Sequence, residues 1–161
     1  GWAVDIDGNL AVVGVPATTV AAQPSAGLVY VYREDSPGTW NQIAVLQAPV
    51  PAANDRFGSA VSIDAANGRI MVGAPGRTQL GPAPNAGAAF IFTETPPSSG
   101  SFGTPVVLAA PSPSANDGYG ISLAILGTQA FVGAPFRDLE SPTRADGGEV
   151  YRYTFDGSNW N

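Results

Sequence analysis

The chain has 161 residues, a net charge of −6 and 12% charged residues, about half the charged share of an average globular protein. The length suits one ordinary domain, and the acidic balance argues against a nucleic-acid partner, which would need a basic face. Cys, His and Lys are all missing from the sequence, which excludes disulfides, thiol or imidazole catalysis, and zinc sites built from Cys or His. No apolar run approaches the roughly 20 residues of a membrane-spanning helix.

Gly and Pro interrupt the chain so often that helices are not expected. The longest stretch without either residue, 39–48, is too short for a typical capped helix. Between these breaks lie short runs rich in Val, Ile, Leu and aromatic residues, which are typical of β strands. In chain order the first four predicted strands lie at 3–6, 10–14, 28–33 and 40–46. The sequence therefore predicts an all-β fold.

The four predicted strands then recur in the same order with a period of about 60 residues. The first strand returns at 60–63 and 122–125, the third at 86–92 and 147–153, and the fourth at 102–108, with a last copy beginning at Trp160. Repeats of four short strands are typical of β-propeller blades, each a sheet of four antiparallel strands. We predict three repeats, 1–56, 57–118 and 119–161, the last of them incomplete.

The second strand of each repeat ends in a phrase of the form VGAP, whose Gly is Gly14, Gly73 and Gly133. Gly allows a close approach of the backbone to a neighbouring sheet, and Pro denies the next ladder hydrogen bond. The phrase is therefore predicted to end a strand at the rim of the sheet, and it is interpreted as architectural.

These motifs resemble the FG-GAP repeat, the β-propeller unit of integrin α-subunit heads and of many bacterial surface proteins. The residues that carry the resemblance are Phe57, Gly58, Gly73, Ala74, Pro75, Tyr119, Gly120, Gly133, Ala134 and Pro135. The resemblance implies an extracellular or cell-surface setting and a structural or adhesive module that binds a protein or cell-surface ligand. The alternative is a carbohydrate-binding, lectin-like propeller.

The repeat frame is cut at both ends of the sequence. Gly1 matches Gly58 and Gly120, and the chain stops as a fourth strand opens at Trp160. Propellers usually close with four to eight blades. We therefore expect about three blades of a larger propeller, with further blades from the same or adjacent chains covering the remaining apolar edges.

Calcium is not expected at the turns between the first and second strands. The turns that follow Asp7 and Asp64, and the turn around Gly127, offer too few oxygen ligands for this ion. The acidic cluster at Asp138, Glu140 and Asp146 is the one place where a weak cation or ligand site is considered. Its other interpretation is a solvated loop with local ion pairs. No cofactor is predicted.

Asp55 and Asp117 occupy matching positions, as do Arg77 and Arg137. Because the two carboxylates recur once per repeat, they are expected to cap turns and not to flank one scissile bond. The arginines are expected to pair with carboxylates. Four strand aromatics are candidates for a sugar site but more typical of packing: Tyr30, Tyr32, Trp40 and Trp160. We find no nucleophile–base pair and predict that the protein is not an enzyme.

Overall fold

A computed structural model describes residues 1–79, 83–140 and 143–161. Apart from one short turn of 3₁₀ helix, the regular secondary structure of the described chain is all β strand. Its strands are β1 (Ala3–Asp7), β2 (Leu10–Val15), β3 (Leu28–Ser36), β4 (Thr39–Leu46), β5 (Ala60–Asp64), β6 (Arg69–Ala74), β7 (Ala88–Thr93), β8 (Val106–Leu108), β9 (Ser122–Leu126), β10 (Gln129–Ala134), β11 (Leu139–Glu140), β12 (Thr143–Arg144) and β13 (Glu149–Thr154). The predicted all-β class is confirmed.

The strands form three antiparallel sheets that follow one another along the chain. The first sheet has the order β1-β2-β3-β4 and the second the order β5-β6-β7-β8. The third consists of β9, β10 and β13, and an antiparallel bridge between Phe155 and Trp160 begins a fourth strand. The short hairpin β11–β12 lies in the loop that precedes β13. None of the three sheets closes into a barrel. Open antiparallel sheets that follow one another along the chain are consistent with part of a propeller.

The core lies in two layers between consecutive sheets. The first layer joins residues such as Val12 and Val31 of the first sheet to Ile70 and Phe90 of the second. Successive residues of a strand point to opposite faces, so Met71 points away from Ile70 and enters the second layer, against the third sheet. The second sheet is thus buried on both faces, which explains why β6 is apolar almost throughout.

The outer faces of the first and third sheets are open. Ile6, Ile63 and Ile125 occupy equivalent positions in the first strands of the three sheets, yet their exposed fractions are 63%, 5% and 5%. Each preceding sheet covers the isoleucine of the next one, and the described chain places no sheet over Ile6. Phe131 and Val150 are similarly exposed on the far face of the third sheet.

Side chains of β1 and β5 also tie neighbouring sheets together. Asp5 accepts a hydrogen bond from the backbone N–H of Ile63 at 2.8 Å, and Asp7 accepts one from Ala65 at 2.8 Å. Asp64 repeats the contact one sheet further on, accepting from the N–H of Gly127 at 2.9 Å. The carboxylates at the short turns therefore act as acceptors for the next sheet.

One local feature differs from the sequence prediction. The fourth strand of the second repeat is predicted at 102–108, but β8 covers only Val106–Leu108. Pro105 cannot donate a ladder hydrogen bond, and Phe102 contributes only an isolated bridge with Glu94.

Candidate functional site

Consecutive sheets are connected by a set of three backbone hydrogen bonds, which we call the clasp and which occurs twice. The N–H groups of Asn54, Arg56 and Phe57 donate to the carbonyls of Pro24, Ser25 and Ala26, which lie in the β2–β3 loop of the first sheet. The N–H groups of Asn116, Gly118 and Tyr119 bond in the same way to the carbonyls of Pro84, Asn85 and Ala86. The clasp holds each sheet against the loop of the preceding one.

The aromatic–Gly pairs follow directly on the clasp. Phe57 is fully buried between the first two sheets, with its ring 5.3 Å from that of Phe90. Tyr119 is buried in the same way, 5.3 Å from Tyr151, and its hydroxyl donates to that of Tyr153. Burial and the neighbouring hydroxyl of Tyr153 raise the pKa of Tyr119 far above its usual range, so the phenol stays neutral.

The Gly of each pair is bonded to the VGAP phrase of its own repeat. Gly58 donates its N–H to the carbonyl of Gly73, and Gly120 donates to that of Gly133. Ala74 and Ala134 are fully buried, and Pro75 and Pro135 follow them at the end of the strand. These residues have architectural contacts in the structure.

Asp55 and Asp117 each form an ion pair with the arginine that follows the VGAP phrase of the next repeat. Asp55 lies 2.6 Å from Arg77, and Asp117 lies 3.2 Å from Arg137. Asp55 also accepts from the N–H of Ala52. Burial raises the pKa of Asp55, although the N–H of Ala52 and the charge of Arg77 oppose the increase. Both carboxylates thus cap a turn and pair with an arginine.

The acidic loop has a different arrangement. The carboxylate of Asp138 accepts the backbone N–H of Asp146 at 2.9 Å and so closes the loop on itself. The side chain of Glu140 lies outside the described residues. Among the residues that the structure describes, no three Asp or Glu side chains come together as metal ligands do. The cation or ligand site at Asp138, Glu140 and Asp146 stays a prediction.

A groove of about 720 Å³ opens on the face that carries the clasps. We call it the clasp groove, and loops of all three sheets contribute to it. Its lining residues are Trp2, Pro16, Ala17, Ser25, Asn54, Arg56, Ser59, Pro75, Gly76, Asn85, Asn116, Gly118, Ile121 and Phe136. This volume lies in the range of ligand-binding clefts.

Comparison with known protein families identifies one segment of the chain. Residues 40–92 match the family model described as the FG-GAP repeat. The chain carries an FG-GAP repeat. The matched segment runs from β4 of the first sheet to β7 of the second, so the clasp of Asn54, Arg56 and Phe57 lies inside it. No curated protein matches the sequence significantly.

The internal repeat also shows which positions of the clasp groove vary in side-chain size. Trp2, Ser59 and Ile121 are equivalent in the repeat, and so are Ala17, Gly76 and Phe136. Arg56 corresponds to Gly118. The architecture accepts large and small side chains here, so the bulky or charged members are not needed to build the sheet.

Sequence reasoning missed Trp2, Arg56 and Phe136 as candidate site residues. The strand aromatics considered instead do not line the clasp groove. Trp160, for example, packs at 5.3 Å from Phe155 and lies beside Arg69. The available signal was a large residue at a loop position whose repeat equivalent is small.

Proposed function

We propose that the chain is an extracellular, structural or adhesive module that binds a protein ligand in the clasp groove. FG-GAP repeats occur in extracellular or surface proteins. Among the described residues, no helix is long and apolar enough to cross a membrane. The observation that carries the proposal is the contrast between the backbone hydrogen bonds of the clasp, which are the same in two repeats, and several groove side chains, which differ between equivalent positions such as Arg56 and Gly118.

The chemistry of the clasp groove supports binding better than catalysis. Its walls are apolar at Trp2, Ile121 and Phe136, with exposed fractions of 78%, 39% and 51%, and polar at its asparagines. Exposed aromatic groups beside a few polar groups are typical of recognition surfaces. The buried carboxylates nearest to the groove, Asp55 and Asp117, are engaged with arginines, and we assign no enzymatic role.

Carbohydrate binding is the second candidate. An exposed indole at Trp2 and amides at Asn54, Asn85 and Asn116 would suit a sugar ring and its hydroxyls. We rank this function second because the Nδ2 of Asn85 already donates to Asn116 at 3.0 Å.

To test this function, peptides are selected from a phage-displayed random library on the immobilised chain. Their affinity is then measured for variants in which a groove residue is replaced by the residue at the equivalent position of another repeat. Phe136→Ala takes the residue found at Ala17, and Trp2→Ser takes the residue found at Ser59. We expect each to weaken binding about tenfold or more, while the control Phe131→Ala, on the open sheet face, binds like wild type.

Peptides that bind both groove variants with wild-type affinity would overturn the proposal. A glycan array tests the alternative in parallel. Binding of neutral glycans that is lost in Trp2→Ser, without any peptide selected, would favour the carbohydrate function.

A further inference from the structure

Arg56 has a backbone conformation that its repeat equivalent reaches without strain. Its φ is 55°, and that of Gly118 is 67°. Both residues donate their N–H to the preceding sheet, Arg56 to Ser25 in the β2–β3 loop and Gly118 to Asn85 in the β6–β7 loop. The left-handed region costs a residue with a side chain roughly 1–2 kcal/mol. The clasp itself therefore does not need an arginine, and the cost points to a use of its side chain.

The guanidinium of Arg56 is free within the described part of the chain. Arg77 and Arg137, the other arginines near this face, are paired with Asp55 and Asp117. Arg56 is exposed and forms no ion pair or side-chain hydrogen bond with the described residues. It is available to a ligand.

The surroundings of Arg56 are uncharged and partly apolar. None of the residues that line the clasp groove is acidic, although the chain has a net charge of −6. The large apolar side chains of the groove come from the first repeat at Trp2 and from the third repeat at Ile121 and Phe136. A cation without a competing carboxylate thus lies in a cleft with aromatic walls.

We propose that the clasp groove binds a peptide segment that carries an Asp or Glu side chain next to an apolar one. This proposal rests on the function proposed above. The planar guanidinium of Arg56 binds the carboxylate through two N–H groups, a geometry that Lys cannot offer. The neighbouring apolar side chain packs against Phe136 or Trp2.

A single carboxylate suits this groove better than an acidic polysaccharide does. A polymer with a charge on every sugar would meet one free cation in the groove and an acidic protein around it. Like charges around the groove disfavour such a ligand, most strongly at low salt. A peptide with one carboxylate between apolar residues avoids this repulsion.

The test uses the same phage-displayed random library, with each selected peptide resynthesised with Asn or Gln in place of its acidic residue. We expect the selected peptides to contain Asp or Glu beside Phe, Leu or Ile. Arg56→Gly should weaken their binding about tenfold or more, the effect expected for loss of a charge-assisted hydrogen-bond pair. The amide peptides should lose a similar factor with the wild-type chain and nothing further with Arg56→Gly.

Two further variants separate charge from folding. Arg56→Asn removes the charge with a residue that tolerates positive φ, so the result does not depend on Arg56→Gly alone. Arg152→Gln removes an exposed arginine outside the groove and should bind like wild type. Both Arg56 variants should melt at or above the wild-type temperature, because the strained arginine is gone.

Three results would overturn the inference. Selected peptides that lack acidic residues, but lose affinity in Phe136→Ala, would leave the protein-binding function standing and remove the role of Arg56. Arg56-dependent binding of polygalacturonate that displaces the peptides would favour an acidic polysaccharide. No selection of peptides at all would contradict both proposals.

Discussion

The carboxylate of Asp55 lies 2.6 Å from the guanidinium of Arg77, and the same arginine also donates to the carbonyl of Val50. The pair joins the incoming linker to the loop that follows β6, and its carboxylate is almost fully buried. In the third sheet Asp117 and Arg137 form the equivalent pair at 3.2 Å. An equivalent ion pair therefore joins the linker to the sheet at both junctions between consecutive sheets.

Asp55→Ala should lower the free energy of unfolding by about 2 kcal/mol, because it leaves the N–H of Ala52 and the half-buried guanidinium of Arg77 without their acceptor. The matched control is Asp35→Ala, at an exposed carboxylate that bonds only to Asn41, where we expect a change within about 0.5 kcal/mol. Urea denaturation measures both. Equal losses in the two variants would show that the Asp55–Arg77 pair has no special role.

The repeat supplies a second matched comparison at Ile63 and Ile6. Ile63→Ala should cost about 3 kcal/mol because it opens a cavity in the layer between the first two sheets. Ile6→Ala should cost less than about 1 kcal/mol, since its side chain is 63% exposed. A loss for Ile6→Ala as large as that for Ile63→Ala would show that another sheet covers this face in solution.

A third comparison separates strain from steric clash at two glycines with similar φ. A Cβ on Gly87, at φ +89°, would lie 2.0 Å from the carbonyl oxygen of Tyr119, whereas a Cβ on Gly38, at φ +81°, meets nothing within 4 Å. Gly38→Ala should cost about 1 kcal/mol from backbone strain alone. Gly87→Ala should cost about 3 kcal/mol or more, because overpacking adds to that strain. Thermal melts of the two variants measure this difference. Similar melting temperatures would mean that the backbone around Gly87 and Tyr119 moves apart at little cost.

The sequence predicts most strands of the fold and their order, but not every local feature. The strands and their order follow from local alternation and from the repeat, since the VGAP phrases that contain Gly14, Gly73 and Gly133 each close a second strand. The hairpin β11–β12 was not predicted, because its strands of two residues carry no periodic signal. The shortened β8 follows from Pro105, which has no N–H to donate to the ladder.

The clasp groove could not be predicted from the sequence, because its walls come from residues far apart in the chain. Trp2, Arg56 and Phe136 line one groove only once three sheets have packed in succession. Local patterns identify the buried Phe57 and Tyr119, whose neighbours repeat, but they do not show which exposed loop residues converge. The contact of Asp7 with the N–H of Ala65 is likewise a consequence of sheet packing.

Calcium should leave the melting temperature of the chain unchanged. The carboxylates of Asp7 and Asp64 already accept backbone N–H groups of the next sheet at 2.8 and 2.9 Å, so an ion there would have to replace these bonds. Thermal melts with calcium and with a chelator test this expectation. A stabilisation by calcium that disappears in Asp7→Asn would contradict it, whereas one that disappears in Asp138→Asn would place the ion in the acidic loop.

The contact between Arg33 and Glu94 should make stability depend on pH in a defined direction. Glu94 is buried, and its Oε1 lies 2.7 Å from Arg33 and accepts the N–H of Gly100 at 2.5 Å. Burial alone would raise the pKa of Glu94, but these hydrogen bonds and the charge of Arg33 outweigh burial and lower it. A lowered pKa means that the unfolded chain binds the proton more readily. The ionised Glu94 therefore stabilises the fold above its unfolded pKa of about 4.3, and this stabilisation is lost as the pH falls through the lower folded value.

Glu94→Gln isolates this contribution, because the other carboxylates titrate equally in variant and wild type. At neutral pH the variant should be about 2 kcal/mol less stable than wild type, since the half-buried Arg33 loses its partner. The difference should shrink below about pH 4, where Glu94 of the wild type becomes protonated as well. Asp35→Asn, at an exposed carboxylate on the same strand as Arg33, gives the baseline for removing one negative charge. Urea denaturation at a series of pH values measures all three proteins, and a difference that stays constant or grows toward acid would show that the charge of Glu94 does not stabilise the junction of the first two sheets.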